Sequence, residues 1–155
     1  PNTNFGNVEK LEVSGGEYTD EQKIAYLKFD LSDIPKDATI HSADLFLYTR
    51  YGTPDEVFCH NSENINWKET SITWSNKPSY SEECIKELSF LGGWDIDSTF
   101  SDYHFIEDFL PLGKITLVLV HDEEDEYMPF ESFYSRENEI QGISRPPKLT
   151  IEYSI

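Results

Sequence analysis

The sequence predicts an all-β protein, built as a single antiparallel β-sandwich with jelly-roll or Greek-key connections. The first reason is that alanine, the strongest helix former, occupies only 3 of the 155 positions. The second is that short runs rich in Thr, Tyr, Ile and Phe recur about every 8 to 15 residues, separated by Gly, Pro, Asn and Asp. Such spacing is typical of sandwiches and barrels.

The strands predicted in the first half of the chain differ in how they are covered. Residues 24–31 alternate apolar and polar side chains, which predicts a half-buried strand. Residues 40–49 carry apolar side chains on both faces, so we expect this strand to be covered at least partly on both sides. Weaker strand patterns occupy residues 10–14 and 56–60.

The second half contains the most apolar strand. Residues 115–120 are apolar except at one position, which predicts a central strand buried on both faces. Residues 149–154 alternate and predict a final one-sided strand, and weaker patterns occupy 84–91 and 129–135. At most one short helix is expected, near residues 101–110, and Pro111 is predicted to end it.

The charge of the chain excludes one large class of partners. The 30 Asp and Glu residues oppose 12 Lys and Arg, for a net charge of −18, whereas nucleic-acid binding needs a basic face. Leu, Ile, Val and Phe fill 40 of the 155 positions, above the roughly 20% below which acidic chains are usually disordered. No apolar run approaches the roughly 18 residues of a membrane helix. We therefore expect one folded domain over residues 1–155, without a transmembrane segment.

The chain begins at Pro1 without an initiator methionine, and we expect it to be part of a longer protein. The motifs of common enzyme classes do not occur in it: there is no G-x-S-x-G, no P-loop, no H-E-x-x-H and no Cys-x-x-Cys. With 30 acidic residues, some pair of carboxylates will reach the separation that glycoside hydrolysis needs, so such a pair is uninformative. We predict no catalytic residues and no required cofactor.

Two features leave alternatives open. The acidic run at residues 122–126 offers Asp122 and Asp125 as oxygen ligands for calcium, and its alternative is a solvated loop. Cys59 and Cys84 lie in strand-like stretches. They either form a disulfide in an oxidising compartment or remain two buried free thiols.

Several motifs occur in a set order along nearly the whole chain. The most specific is W-K-E-T-S-I-T-W-S-N-K-P at residues 67–78, with P-N-T-N-F-G at 1–6 and A-Y-L-K-F-D-L-S at 25–32 before it. F-Y-S-R-E at 133–137 and P-P-K-L at 146–149 follow it. These segments resemble the DNRLRE domain family, whose signature is W-x-E-x-x-x-T-W-x-x-x-P.

The resemblance implies a non-catalytic β-sandwich module of secreted and cell-surface proteins of bacteria and archaea. Its relatives include disaggregatase-associated domains and carbohydrate-binding module family ninety-six. The implied partners are a polysaccharide or neighbouring envelope proteins such as those of an S-layer, and the implied location is extracellular. Family members usually begin with an extra strand, and because the chain starts at Pro1 we expect that strand to be absent or supplied from elsewhere. Relatives that hold the polyanion alginate use basic side chains, whereas a charge of −18 favours neutral or cation-bridged partners.

The residues of the motif are interpreted mainly as structural. We expect at least one of Trp67 and Trp74 to be a packing residue. We expect Arg136 to form a bidentate pair with an inward carboxylate that locks strands together. The candidates for that carboxylate are Glu137, Asp30 and Glu69.

Sugar binding needs exposed aromatic planes beside groups that hydrogen-bond hydroxyls. The aromatic residues predicted to supply them are Trp94, Tyr51, Tyr80 and Tyr103. The predicted function is a non-catalytic surface module that binds polysaccharide or packs in a cell-envelope layer. The alternatives are a structural spacer or assembly domain without a glycan ligand, and a glycan-cleaving enzyme that uses paired carboxylates.

Overall fold

The structure is a computed structural model that describes residues 2–15, 22–52, 56–89, 96–121, 130–137, 139–140 and 142–155. The strands in these ranges pair antiparallel, which confirms the predicted all-β class. In chain order they are β1 Lys10–Ser14, β2 Ala25–Asp30, β3 Thr39–Leu47, β4 Thr49–Gly52, β5 Glu56–Ser62, β6 Lys86–Ser89, β7 Ile96–Thr99, β8 Lys114–Val120, β9 Phe130–Tyr134, β10 Glu139–Ile140, β11 Ile143–Ser144 and β12 Lys148–Ser154.

Within the described ranges the strands form sheets in the orders β2-β8-β5-β6, β1-β9-β4 and β12-β3-β7, together with the hairpin β10-β11. Only Tyr48 separates β3 from β4, and its carbonyl accepts a hydrogen bond from the backbone N–H of Tyr134 at 2.9 Å. The two three-stranded sheets are therefore continuous through β3 and β4. Side chains from all three sheets meet in one core, as expected of a β-sandwich.

The core is centred on β8 of the four-stranded sheet. Its residues Ile115, Leu117 and Leu119 have no exposed surface. They belong to the same buried cluster as Leu45 of β3 and Phe133 of β9, which lie in the other two sheets. Because each fully buried aliphatic side chain contributes about 1.5–3 kcal/mol, this inner face provides most of the driving force for folding.

The outer face of the four-stranded sheet is also covered. Thr116, Val118 and Val120 alternate with the inward residues of β8, and they too are buried. The irregular residues 63–85, which connect β5 to β6, cross this face, and we call them the covering segment. The predicted central strand is therefore buried on both sides, because one side faces the core and the other faces the covering segment.

The helix differs from the prediction in type and in its end. It is a 3-10 helix, His104–Leu112, and it contains Pro111, which the sequence pattern predicts to end it. A short 3-10 helix loses only one backbone hydrogen bond at a proline. It ends instead at Gly113, whose φ of 68° lets its N–H donate to the carbonyls of Phe109 and Leu110 at 3.1 Å. The described residues include no helix that is long and apolar enough to cross a membrane.

Four short strands lie where no separate strand is predicted, namely β4, β7 and the two hairpin strands β10 and β11. β4 pairs with β9 through an irregular register between Thr49 and Tyr51, and such a bulge breaks the alternation that a pattern search depends on. β7 consists of I-D-S-T and pairs at one side of β3. Its composition is that of a loop, so only its pairing identifies it as a strand.

Candidate functional site

The covering segment is anchored by Trp67. Its indole Nε1 donates to Oγ1 of Thr116 at 3.0 Å, and its ring meets Tyr26 edge to face with centroids 5.9 Å apart. The Lys28 ammonium lies 4.3 Å from the Trp67 ring centroid and donates to the Trp67 carbonyl. Of the two tryptophans in the motif, Trp67 is thus half-buried on the sheet, whereas Trp74 is exposed.

Two side chains of the four-stranded sheet, Tyr26 and His60, hold the end of the covering segment by hydrogen bonds. The Tyr26 hydroxyl donates to the Pro78 carbonyl at 2.6 Å. His60 Nδ1 lies 2.8 Å from the Ser81 carbonyl and 3.1 Å from that of Glu83, so this nitrogen carries the proton. Burial, followed by the neighbouring Tyr80, raises the pKa of Tyr26 well above its usual range. The Tyr26 hydroxyl is therefore a donor at all ordinary pH values.

The N-terminal residues hold the middle of the covering segment. Asn4 Nδ2 donates to the carbonyls of Glu69, at 2.7 Å, and Ile72, at 2.6 Å. Asn4 Oδ1 in turn accepts from the backbone N–H of Gly6 at 3.1 Å. A Cβ at Gly6 would lie 2.1 Å from the Glu69 carbonyl oxygen, so this close approach requires glycine.

Arg136 contacts two of its predicted partners, but at the surface. Its Nη2 lies 2.5 Å from Oε2 of Glu69 and 3.1 Å from Oε1 of Glu137, and its side chain is 70% exposed. These carboxylates, Glu69 first, raise the pKa of Arg136. The expectation of an inward carboxylate was wrong, because the pair joins the turn after β9 to the covering segment. Asp30 instead accepts from the backbone N–H of Ser32 at 2.9 Å.

An open groove of about 370 Å³ lies along the covering segment, within the 300–1,000 Å³ typical of ligand sites. Its lining combines amide, hydroxyl, ammonium, aromatic and aliphatic groups. The lining residues are Asn64, Asn66, Trp67, Lys68, Ser71, Ile72 and Asn76. This is the composition that a hydroxyl-rich ligand needs, since sugar hydroxyls both donate and accept hydrogen bonds.

Some of the groove's polar groups maintain its shape, and others are free to bind. Asn64 Oδ1 accepts from the backbone N–H of Asn66 at 2.9 Å, and the Asn64 carbonyl accepts from Thr116 Oγ1 at 3.1 Å. Within the described part of the chain, the side-chain amide of Asn66 and the ammonium of Lys68 have no hydrogen-bond or ion-pair partner. These two groups are therefore available to a ligand.

The groove is electrostatically unlike the rest of the chain. Residues 64–78 contain two lysines, Lys68 and Lys77, and one acidic residue, Glu69. The net charge of this stretch is +1, in a chain whose net charge is −18. Burial, followed by the nearby Lys114, lowers the pKa of Lys28, and Glu69 acts in the opposite direction. Ligands thus meet a local charge opposite in sign to the overall charge.

Tyr80 and Tyr103, two of the aromatic residues predicted to bind sugar, do not line this groove. Tyr80 packs against His60, with ring centroids 5.2 Å apart, and Tyr103 is partly buried against the core. Tyr51 lies on β4, and its side chain is outside the described residues, as is the whole of Trp94.

The groove was not predicted from the sequence, because the residues predicted to bind sugar were all aromatic residues of loops. The groove is built mainly from amides, and the available signal was the pair Asn64 and Asn66 just before Trp67. Amides this close to a tryptophan place hydrogen-bonding groups beside an apolar plane. That combination could have been noticed without a structure.

The calcium site predicted at Asp122 and Asp125 lies outside the described residues. The described residues include no group of three or more His, Cys, Asp or Glu side chains that could hold a metal ion. Cys59 and Cys84 are both free thiols in this structure. Cys59 is buried, which raises its pKa, whereas Cys84 is exposed rather than buried.

Comparison with known proteins points to carbohydrate. The model of the family described as carbohydrate-binding module family 96 matches residues 1–152. A gellan lyase of Bacillus sp is 26% identical over 135 residues, covering 84% of this chain but 5% of the lyase. Membrane glycoprotein US3 of human cytomegalovirus (strain Merlin) is 28% identical over 68 residues, or 39% of this chain and 37% of that protein. The chain thus spans a small part of the relatives that it matches.

Proposed function

This chain belongs to carbohydrate-binding module family 96, and we propose that it is a non-catalytic module that binds polysaccharide in the groove of the covering segment. The family match over residues 1–152 is the observation that carries this proposal. The groove supports it because the free Asn66 amide and Lys68 ammonium stand beside the Trp67 ring. Such groups hydrogen-bond sugar hydroxyls while the ring excludes water.

The proposal extends to the larger protein. The matched region is 5% of the gellan lyase, which is what an accessory module of a large polysaccharide-degrading enzyme would cover. A module of this kind keeps its enzyme close to the polymer by raising the effective concentration of substrate. We therefore propose an extracellular location, and gellan is the first polysaccharide to test.

Electrostatics predicts how binding should depend on ions. A chain of net charge −18 repels an acidic polymer over distances of about a Debye length, roughly 8–10 Å at 0.1–0.15 M salt. Neutral polymers are not subject to this repulsion. Acidic polymers would overcome it where calcium bridges their carboxylates and those of the protein. Binding of an acidic polysaccharide should therefore strengthen when calcium is added.

Affinity gel electrophoresis with gellan and a panel of neutral polysaccharides, with and without calcium, tests the proposal. The wild type should be retarded by at least one polymer, and an Asn66→Ala/Lys68→Ala double variant should lose about tenfold or more in affinity. These two side chains have no described partners, so the variant should keep its unfolding midpoint. Absence of retardation on every polymer, or equal retardation of the variant, contradicts the proposal. Release of new reducing ends would show that the module is an enzyme.

A further inference from the structure

Trp74 is an exposed aromatic side chain in the stretch of chain that lines the groove. It is 42% exposed, although tryptophan is normally highly buried. It lies in the turn 73–76, and Asn76 of this turn lines the groove. The motif predicts that at least one of Trp67 and Trp74 packs, and Trp67 is the one that does.

The turn that carries Trp74 is held rigidly against the groove. Asn76 Oδ1 accepts from the Thr73 backbone N–H at 2.6 Å and from the Thr73 hydroxyl at 3.1 Å. Asn76 Nδ2 donates to the Ser71 carbonyl at 2.9 Å, and Ser71 is another lining residue. A residue fixed in this way loses little further conformational entropy when it binds a ligand.

The Trp74 ring is also ordered by its own neighbour. The Lys77 ammonium lies 3.8 Å from the ring centroid, a close cation–π contact over one face of the indole. Since 42% of the residue stays exposed, ring surface remains open to solvent after this contact. Trp67 has less free ring surface, because its N–H is bonded to Thr116 and its ring contacts both Tyr26 and Lys28.

We propose that Trp74 is the aromatic platform of the binding site, on which a pyranose ring of the polysaccharide stacks. This inference rests on the proposed function. The apolar C–H face of one sugar unit covers the exposed indole, while hydroxyls of the chain reach the Asn66 amide and the Lys68 ammonium in the groove. The site thus extends from the groove onto the turn 73–76.

Titration calorimetry with a polysaccharide that the wild type binds tests this inference. Trp74→Ala should raise Kd by about tenfold or more, and Trp74→Tyr, which keeps an aromatic plane, should stay within about threefold of the wild type. Tyr153→Ala is the matched control, because Tyr153 is 40% exposed on β12 of another sheet. It should leave Kd unchanged.

Fluorescence adds a second readout that does not depend on how the alanine variant folds. Bound polysaccharide should shield the wild type from acrylamide quenching, and Trp74→Tyr, in which Trp67 still lines the groove, should keep only part of that shielding while it still binds. A wild-type Kd in Trp74→Ala, or an equal loss in Tyr153→Ala, overturns the inference. If the Asn66→Ala/Lys68→Ala variant is weakened in the same assay, the proposed function stands. A wild type that binds no polysaccharide overturns both.

Discussion

The two faces of the four-stranded sheet are covered in different ways. On the inner face, Ile115, Leu117 and Leu119 are fully buried among apolar side chains from the other sheets. On the outer face, hydrogen bonds tie the covering segment to the sheet, as between Trp67 and Thr116. Apolar burial is non-directional, whereas hydrogen bonds fix distances and angles. The inner face therefore determines whether the chain folds, and the outer face determines where the groove-lining groups stand.

The largest effect on stability is expected on the inner face. Leu117→Ala leaves a cavity in the core, so the free energy of unfolding should fall by about 2–5 kcal/mol, as urea unfolding would measure. Because Leu117 points away from the covering segment, the Kd of the folded fraction for polysaccharide should not change. A changed Kd would mean that the two faces are not independent.

A smaller effect is expected one residue away, on the outer face. Thr116→Val keeps the shape of the side chain but removes the acceptor of the Trp67 indole and the donor to the Asn64 carbonyl. Stability should fall by about 1–3 kcal/mol, and Kd for polysaccharide should rise. Thr150→Val is the matched control, since Thr150 Oγ1 is buried without a hydrogen-bond partner among the described residues. If both variants lose the same free energy of unfolding, the Thr116 hydrogen bonds make no measurable contribution to stability.

The third prediction concerns pH. Tyr26→Phe should cost about 1 kcal/mol at neutral pH, because it removes the hydrogen bond to the Pro78 carbonyl. The pKa of Tyr26 is higher in the folded than in the unfolded chain, chiefly because of burial. Its contribution is therefore complete below pH about 10, the unfolded value, and is lost as pH rises towards the folded value. Wild-type stability should thus fall more steeply above pH 10 than that of Tyr26→Phe. If the stabilities of the two proteins depend on pH in the same way, the pKa of Tyr26 is not raised in the folded chain.

The smallest effect is expected at the surface ion pair. Arg136→Ala breaks the contacts with Glu69 and Glu137, but the Arg136 side chain is 70% exposed, so the loss should stay below about 1 kcal/mol. Added salt should reduce the difference from the wild type further. A larger loss, or one insensitive to salt in thermal unfolding, would place Arg136 among the supports of the covering segment.

The inner face could be predicted from the sequence, because the period of apolar side chains is a local property. The apolar run at 115–120 and the alternation at 24–31 correspond to β8 and β2. Among the four strands that were not predicted, β4 and β7 depend on pairing across the sheet, and neither carries a local pattern. Pro111 ends an α-helix by local rules, but those rules do not decide between α and 3-10 geometry.

The outer face could not be predicted in this way. Its hydrogen bonds join residues far apart in the chain: Asn4 and Glu69 are separated by 65 positions, and Trp67 and Thr116 by 49. No pattern within a window of sequence shows such pairs. The motif at 67–78 indicated that the region matters, but not that Trp67 would pack while Trp74 stays exposed.

The way the covering segment is attached also has a consequence for hydrogen exchange. Since a modest number of directional bonds hold it, we expect it to open with a smaller free energy than global unfolding. Amides of the covering segment should then exchange faster than those of β8 beneath it, with the sandwich intact. A bound polysaccharide would slow exchange only in the covering segment. The exchange pattern would therefore show which residues the ligand protects from opening.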